Sequence, residues 1–413
     1  MEKNELIPHL FRTEYSKITA VLSKLFGFEH IEIAEDIASD TFLSASEVWG
    51  LKGLPENPVA WLYTVAKNKA KNYLKHQAVF HQKIAAQLKY SATETNMPEI
   101  DLSAKNIHDS QLQMMFAICH PAIVAEAQIG LALRILCGFG IDEIAAAFLS
   151  NKETITKRLQ RAKDKLRAEQ IKIEFPGEPE INKRLDNVLR TLYLLFNEGY
   201  YSSSHATTLR KELCLEAIRL TSLLIENDTT NKPSVHALLS LMSFQSSRFE
   251  ARTDAAGEMI LYDDQDTNRW NQALIAQGEA FLNTASRGAE ISTYHLEAGI
   301  AYWHTIKADT PEKWNNILQL YNHLLQLEYS PMAALNRTYA LSKAKGKQVA
   351  ITEALKLNLA AHHLYHVLLG ELFTGIDNSR ALSFFETALG LAQAPADKKI
   401  IAQKIHSIAP PLH

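Results

Sequence analysis

The sequence is poor in cysteine and has no long apolar run. Its three cysteines, Cys119, Cys137 and Cys214, are scattered, which excludes a disulfide framework and fits a reducing cytoplasm. No stretch approaches the roughly 20 apolar residues that a membrane-spanning helix needs, and the first residues lack the apolar core of a secretory signal. We therefore expect a cytoplasmic protein that does not enter a membrane.

Charge of one sign is also scarce, because the 413 residues carry a formal net charge of only −3. This excludes a protein whose entire surface is basic and attracts nucleic acid. Any positive charge that binds DNA must therefore be concentrated in one part of the chain. Asn-Gly and Asp-Gly hairpin signals are missing, whereas helical spacing of apolar residues recurs along the chain. The sequence predicts an all-α protein of about two to four domains.

Changes in composition divide the chain into a series of predicted domains. Residues 1–80 are periodic and end in a basic helix, and residues 81–107 are polar and form a linker. A second compact block covers 108–172. Proline and glycine at 176–179 break the helical pattern before a large helical region at 180–413.

The C-terminal region contains a faint repeat with an offset of 34 residues, in which 331–358 aligns with 365–392. Six residues of the second unit fall where tetratricopeptide repeats pack two helices together. They are Tyr365, Leu368, Leu372, Ala381, Phe385 and Ala388. We expect a tetratricopeptide-like helical domain.

The second block ends in a strongly basic helix. Residues 137–167 read CGFGIDEIAAAFLSNKETITKRLQRAKDKLR, where Ser150 and Glu153 have the spacing of a capping box. Seven basic residues against two acidic ones in 152–167 suit the DNA major groove, although a solvated surface helix is the alternative. The residues expected at base edges are Lys152, Glu153, Thr154, Lys157 and Arg158, and those expected at phosphates are Arg161 and Lys165.

The first block holds an acidic helix followed by a basic one. Residues 32–49 have an apolar stripe opposite an acidic side, so this helix would either dock a basic partner or simply face solvent. Asn57 and Pro58 form a start signal for the next helix, which contains no acid in 61–77. Its lysines and asparagines suit a separated DNA strand, whereas Trp61 by itself is rather expected in the core.

Metal sites and catalytic motifs are not evident. His362 and His366 have an i, i+4 spacing that would suit a metal, but surface histidines are the favoured interpretation. The acidic run 263–266 beside Trp270 lacks the glycine and final glutamate of a calcium loop, and we interpret it as an internal docking segment. Walker A, dinucleotide and nucleophile-elbow motifs are missing. We expect no enzymatic activity, no cofactor and no metal.

The two N-terminal blocks together resemble the extracytoplasmic-function sigma factors of bacterial RNA polymerase. The motifs are E-D-I-x-x-D-T-F at 35–42, N-P-x-A-W-L-Y-x-x-A-x-N at 57–68 and T-x-x-x-R-L-x-R-A-x-x-K-L at 154–166. Further segments, such as YLLFNEGYYSS and GEMILYDDQDTNRWNQALI, are similar to a subgroup with a tetratricopeptide-like C-terminal extension. The resemblance implies sigma region 2 in 1–80 and sigma region 4, a helix-turn-helix, in 108–172.

The resemblance also implies partners and roles: core RNA polymerase through its β′ clamp and β flap, and promoter DNA. The implied core-binding residues are Glu35, Asp36, Ser39 and Asp40. The residues implied to capture and melt the −10 element are Lys52, Asn57, Trp61, Lys67, Asn68, Lys71 and Lys75. The basic helix 152–167 would read the −35 element, and the polymerase would perform the chemistry.

Some positions depart from the family pattern. Ser39 stands where the family often has glutamine, and Lys67 and Lys71 replace frequent arginines, which removes bidentate hydrogen bonding. Two alternatives are a tetratricopeptide adaptor and a conventional helix-turn-helix regulator that acts without core polymerase. We expect the C-terminal domain to regulate activity in cis, through intramolecular contact with the sigma domains.

Overall fold

The computed structural model describes residues 3–87, 99–201, 207–254 and 260–408. These residues form eighteen α-helices and contain no β-strand, which confirms the predicted all-α fold. Within the same ranges, no helix is both long and apolar enough to cross a bilayer. The chain divides into two compact units between Leu224 and Ile225.

The first unit contains nine α-helices and a five-residue π-helix, Ala132–Leu136, in its described part. The α-helices are α1 Lys3–Phe26, α2 Ile31–Lys52, α3 Pro58–Gln87, α4 Ala104–Ile118, α5 Ala125–Leu131, α6 Ile141–Ala147, α7 Lys152–Ala168, α8 Glu178–Tyr201 and α9 Thr207–Ile225. Helix α1 packs against α2, α3 and α4. Tyr15, Phe42 and Leu62 are buried in the core that these helices share.

Two local signals position the helices that carry the predicted site. Asn57 caps α3, because its side-chain oxygen accepts a hydrogen bond from the Ala60 backbone N–H at 3.0 Å. Gly138, at φ 72°, turns the chain after the π-helix. A β-carbon there would lie 3.4 Å from the Tyr15 ring, so both backbone conformation and space favour glycine.

Helices α6 and α7 are joined by a four-residue turn in which Leu149 has a φ of 47°. The N-cap of α7 is Asn151, whose side chain accepts from the Thr154 N–H at 2.8 Å. The Ser150–Glu153 capping box predicted from spacing is therefore wrong by one residue. Asparagine is as good a cap as serine, and it stands where the extended backbone turns into the helix.

The division at Leu224 differs from the predicted domain boundary near residue 180. The break at 176–179 only separates α7 from α8, which then packs back onto α4 and α5. In that packing the Thr191 hydroxyl donates to the Gln128 side chain at 2.7 Å. Arg219 of α9 donates to the Leu136 carbonyl at 2.7 Å. A proline-glycine break marks the end of a helix, and it does not determine which core the following helix joins.

The second unit continues with nine α-helices and three short 3-10 helices among its described residues. They are α10 Pro233–Ser246, α11 Gln272–Ala285, α12 Thr293–Thr305, α13 Pro311–Leu327, α14 Pro331–Lys345, α15 Lys347–Ala354, α16 His363–Phe373, α17 Asn378–Leu391 and α18 Pro395–Ile408, with 3-10 turns at Phe249–Ala251, Tyr262–Asp264 and Thr267–Arg269. Each helix from α12 to α18 packs on the next. All six predicted repeat residues are buried in one hydrophobic cluster.

The structure corrects two expectations in the second unit. His366 is buried and its Nε2 contacts the Ala360 carbonyl at 2.7 Å. His362 caps α16. The interpretation of these two residues as surface histidines is therefore wrong. No group of three metal-ligating side chains occurs in the described ranges. In the run 263–266 the carboxylates are exposed. It is the neighbouring Tyr262 that docks within the unit, because its hydroxyl donates to the His304 carbonyl at 3.0 Å.

Candidate polymerase and nucleic-acid interface

The four residues of α2 that were predicted to bind core polymerase divide into two environments. Asp36, Ser39 and Asp40 are exposed on the outer face of the helix, whereas Glu35 is buried at 6% exposure. The Ser39 hydroxyl donates to the Glu35 carbonyl at 2.9 Å. Asp40 lies 3.8 Å from the Lys69 ammonium of α3. The exposed acids therefore adjoin the basic helix that follows them.

Glu35 is held by two cations from the block that contains α7. Its Oε1 accepts from Arg134 Nε at 3.0 Å, and its Oε2 accepts from Lys163 Nζ at 2.5 Å. Lys163 is itself buried and also lies 3.7 Å from Glu32. Both carboxylate oxygens of Glu35 are thus engaged by positive charge within the protein.

A second contact extends this arrangement. Arg167 of α7 forms an ion pair with Glu32 and donates from Nε to the Phe28 carbonyl at 2.8 Å. Burial opposes ionisation of Glu32, but the hydrogen bond from Arg167 and the charge of Lys163 outweigh it, so the pKa of Glu32 lies below its ordinary value. We call these five residues the α2–α7 ion-pair cluster. They are Glu32, Glu35, Arg134, Lys163 and Arg167.

Sequence reasoning missed Arg134 and Lys163. One signal was available for Lys163, since it lies four residues after Leu159 and beside Ala162, on the apolar face of α7. A lysine on a buried face needs an acidic partner. No such signal marks Arg134, which is placed by the π-helix.

The residues predicted to bind the −10 element lie on the end of α2, the following loop and α3. Lys52, Asn57, Asn68, Lys71 and Lys75 are exposed, and Lys67 is half-buried. Trp61, the remaining predicted residue, differs from these. Trp61 is half-buried, packs on the core of the first block and meets Trp49 edge to face at 5.3 Å between ring centroids.

The residues predicted to bind the −35 element lie on the N-terminal and outer sides of α7. All are exposed except Arg158, which is half-buried with its guanidinium 5.7 Å from the Phe148 ring centroid. Lys152 pairs with Asp142 at 3.0 Å and Lys157 with Glu153 at 2.5 Å. Such exposed pairs contribute little, so these lysines remain available to a phosphate.

Four of these residues line one groove, with a volume of about 510 Å³. Its cationic wall is formed by α7, and its apolar wall by the start of α5 and the residues before it. The lining residues are Thr154, Lys157, Arg158, Arg161, Ala162, Ile123, Val124 and Ala127. Lys152, Glu153 and Lys165 lie outside this lining.

Comparison with known proteins gives two partial matches and one nearly complete one. Residues 10–79 match sigma-70 region 2, and residues 184–286 match a family of unknown function, DUF6596, across the division between the two units. The region 2 match supports a factor of the sigma-70 family, whose members are transcription initiation factors. The uncharacterized protein R00370 of Rhizobium meliloti (strain 1021) is 31% identical over 388 residues, covering 92% of this chain and 91% of that protein. The chain belongs to the same family as R00370. No solved structure matches it.

Proposed function

We propose that the chain is a sigma factor of the extracytoplasmic-function type, which binds core RNA polymerase and directs it to specific promoters. The observation that carries this proposal is the region 2 match over residues 10–79. A separate basic helix, α7, with exposed cations on its outer side, adds the second DNA-binding element that such a factor needs.

The outer face of α2 is the proposed docking surface for the β′ clamp. Exposed side chains follow one another at helical spacing along it, and they combine acids with uncovered leucines. Leu43 is 59% exposed and Leu51 89% exposed, although both are large and apolar. The residues of this face are Asp36, Asp40, Leu43, Glu47 and Leu51. A basic, partly apolar partner helix would complement both features.

The basic face of α3 is the proposed −10 element binding surface. Lys67, Lys71 and Lys75 recur every four residues along one side of the helix, so their ammonium groups would follow a phosphate backbone. Asn68 adds amide groups for an unpaired base. Trp61 packs against the core. We therefore propose that its main role is to hold α3 in place, and that base stacking is secondary.

The groove beside α7 is the proposed −35 element binding surface. Thr154, Lys157 and Arg158 would approach base edges from the N-terminal half of α7, and Arg161 and Lys165 would contact phosphates. The β flap of the polymerase would hold this block on the core enzyme. The remainder of the chain, from α8 onward, would regulate the factor in cis. The packing of α8 on α4 and α5 and the hydrogen bond from Arg219 of α9 to the Leu136 carbonyl support that role.

Run-off transcription with purified core polymerase tests the proposal. The template is the protein's own upstream region, and the full chain is compared with Asp36→Asn and Lys157→Ala. Matched controls are Glu29→Gln and Lys172→Ala, which change exposed residues outside the proposed surfaces. We expect specific transcripts that the first two variants reduce and the controls leave unchanged.

Gel filtration with core polymerase and a duplex-DNA shift assay decide between the alternatives. A chain that shifts duplex DNA but never co-elutes with core would be a conventional regulator. A chain that does neither would be an adaptor. Either result would refute the sigma assignment.

A further inference from the structure

We infer that residues 260–270 form a displaceable strap on the second unit, and that the surface under Tyr262 is a docking site for a partner protein. The partner segment that fits this site is acidic and carries an aromatic side chain, as the strap itself does. It binds by taking the place of the strap. This inference concerns the second unit alone, goes beyond the proposed function and does not depend on the sigma assignment.

The first argument is the environment of the Tyr262 ring, which is surrounded by cations. The ring centroid lies 4.7 Å from Lys307 Nζ, 5.2 Å from Lys313 Nζ and 5.5 Å from Arg248 Cζ. His304 meets the same ring edge to face, with the two centroids 5.3 Å apart. Cations are attracted to the face of an aromatic ring, most strongly where water is excluded. The strap thus inserts its ring into a site that other elements of the unit have built.

The second argument is the kind of acceptor that the strap offers to these cations. Lys307 Nζ donates to the backbone carbonyls of Tyr262, at 2.6 Å, and Asp263, at 2.9 Å. Lys313 Nζ donates to the Tyr262 hydroxyl at 3.1 Å and to the Ile306 carbonyl at 2.6 Å. Every acceptor in these four hydrogen bonds is neutral. Because a carboxylate accepts from an ammonium group more strongly than a neutral oxygen does, an acidic ligand can compete with the strap.

The burial of Lys313 supports the same conclusion. This side chain is 1% exposed. Burial lowers the pKa of its ammonium group and the charges of Lys307 and Arg248 act in the same direction, while the charge of Asp309 opposes them. A buried cation is stabilised by a negative charge brought close to it. The site therefore favours a ligand that carries acidic groups.

The third argument is that few buried side chains hold the strap in place. Its two 3-10 turns, Tyr262–Asp264 and Thr267–Arg269, contain no buried residue. Between and after them, Gln265 and Trp270 are 8% and 5% exposed. The first part of the strap is thus attached mainly through Tyr262. Segments with few buried contacts open locally at low free-energy cost, so release of one ring would uncover the site.

The surface continues beyond the strap onto α14. Tyr339 is 39% exposed and meets Trp314 edge to face at 5.6 Å between ring centroids. Lys343, one turn further along α14, lies 5.5 Å from the Trp314 ring centroid and pairs with Asp309 at 2.8 Å. An exposed ring beside a cation offers a first contact to an incoming segment while the strap is still in place. Binding on α14 and displacement of the strap can therefore follow one another.

The strap indicates the order of groups in the partner segment. Residues 261–264 read LYDD, an aromatic residue followed by two acids. With Tyr262 among the cations, the charge of Asp263 acts on both Lys313 and Lys343. A segment that presents an aromatic side chain and then carboxylates would meet the same groups in the same order. Complementary charge would also speed its association.

Peptide exchange on the full-length protein tests the inference. The probe is a fluorescein-labelled synthetic peptide with the sequence of residues 260–270, and its binding is followed by fluorescence anisotropy. Tyr262→Ala removes the ring that fills the site. The peptide should then bind roughly tenfold more tightly or better than to the wild-type chain, because an occupied site lowers the apparent affinity by the fraction that is open.

Variants of the site give the second arm. Lys307→Ala in the Tyr262→Ala background should lose most of this gain. Lys356→Ala in the same background is the matched control, because Lys356 is exposed and pairs with Glu353, outside the proposed site. Peptides that carry Tyr262→Ala, or Asp263→Asn, should bind weakly to every variant. Circular dichroism verifies folding.

Where Tyr262→Ala loses helix content, Tyr262→Phe is measured instead. This variant keeps the ring but lacks the hydroxyl that donates to the His304 carbonyl and accepts from Lys313. It should raise the affinity for the peptide by a smaller factor than the alanine variant would.

The outcomes are separable. Equal affinity of the wild-type chain and the Tyr262 variant would overturn the inference, as would a gain that survives Lys307→Ala. Light scattering tests a second copy of the chain as the occupant, since a dimer that the peptide dissociates would mean that straps exchange between copies and that no other partner is needed. None of these measurements uses polymerase or DNA, so failure of the sigma assignment would not affect them.

Discussion

The two halves of α7 carry the same kinds of charged residue in opposite settings. In the N-terminal half, Lys152 and Lys157 make ion pairs that are mostly exposed. In the C-terminal half, Lys163 is 9% exposed and is paired with a glutamate that is equally buried. Exposed pairs exchange readily with water, ions or a DNA phosphate. Buried pairs fix the position of the helix. The role of a charged residue on α7 therefore depends on whether its side chain is buried or exposed.

The largest expected effect comes from removing α8 and α9, the helices that follow α7 in the chain and complete the core on which its buried side packs. Leu159 of α7 packs so closely on Gly130 of α5 that a β-carbon there would lie 2.8 Å away, and α5 packs in turn on α8. A fragment that ends at residue 176 lacks α8 and α9 and should lose cooperative unfolding, whereas one that ends at 226 should keep it. Thermal melts followed by circular dichroism compare the two. Equal melting of both fragments would show that α8 does not support this core.

The second largest effect compares the two halves of α7 through one lysine substitution in each. Lys163→Met leaves buried Glu35 with one cation fewer and should lower the unfolding free energy of the first unit by about 3 kcal/mol. Lys157→Met breaks only an exposed pair and should change it by less than about 0.5 kcal/mol. Urea unfolding of both variants measures the difference. Similar values would mean that burial does not distinguish the halves.

The same contrast between buried and exposed charge predicts a pH effect in the second unit. Burial, with Arg248 and Lys313 nearby, lowers the pKa of His304 to about 3, so the folded unit keeps this side chain neutral. The unfolded chain takes up the proton near pH 6.5. Stability from this group is therefore present above pH 6.5 and lost as the pH falls, by about 1.4 kcal/mol per pH unit.

Urea unfolding between pH 7 and pH 5 measures this loss. His304→Gln removes the titrating group and should flatten the profile, whereas a variant of the exposed His30 serves as the control. An unchanged slope in His304→Gln would assign the pH dependence to other groups.

Much of this architecture could be predicted from the sequence, because local signals determine it. The Asn57 cap, the helical periodicity and the six buried repeat residues depend on neighbours within a few positions or on one hairpin. The environment of Glu35 could not be predicted. It depends on Arg134 and Lys163, which lie 99 and 128 residues away along the chain. A family motif identifies Glu35 as an acid on an acidic helix and carries no information on whether another block covers it.

The smallest expected effect concerns the exposed half of α7 and is measured as a change in DNA affinity. Lys157→Ala removes one cation from the groove and should weaken promoter binding about equally for all sequences, if Lys157 meets a phosphate. The slope of log affinity against log salt should then fall by about 1. If Lys157 instead reads a base, affinity should fall by about 1–3 kcal/mol for the preferred promoter and less for others. Binding of the polymerase complex to several promoters across a salt series separates these roles. Lys163→Met should alter neither the slope nor the sequence preference, since its ammonium points into the protein and toward Glu35.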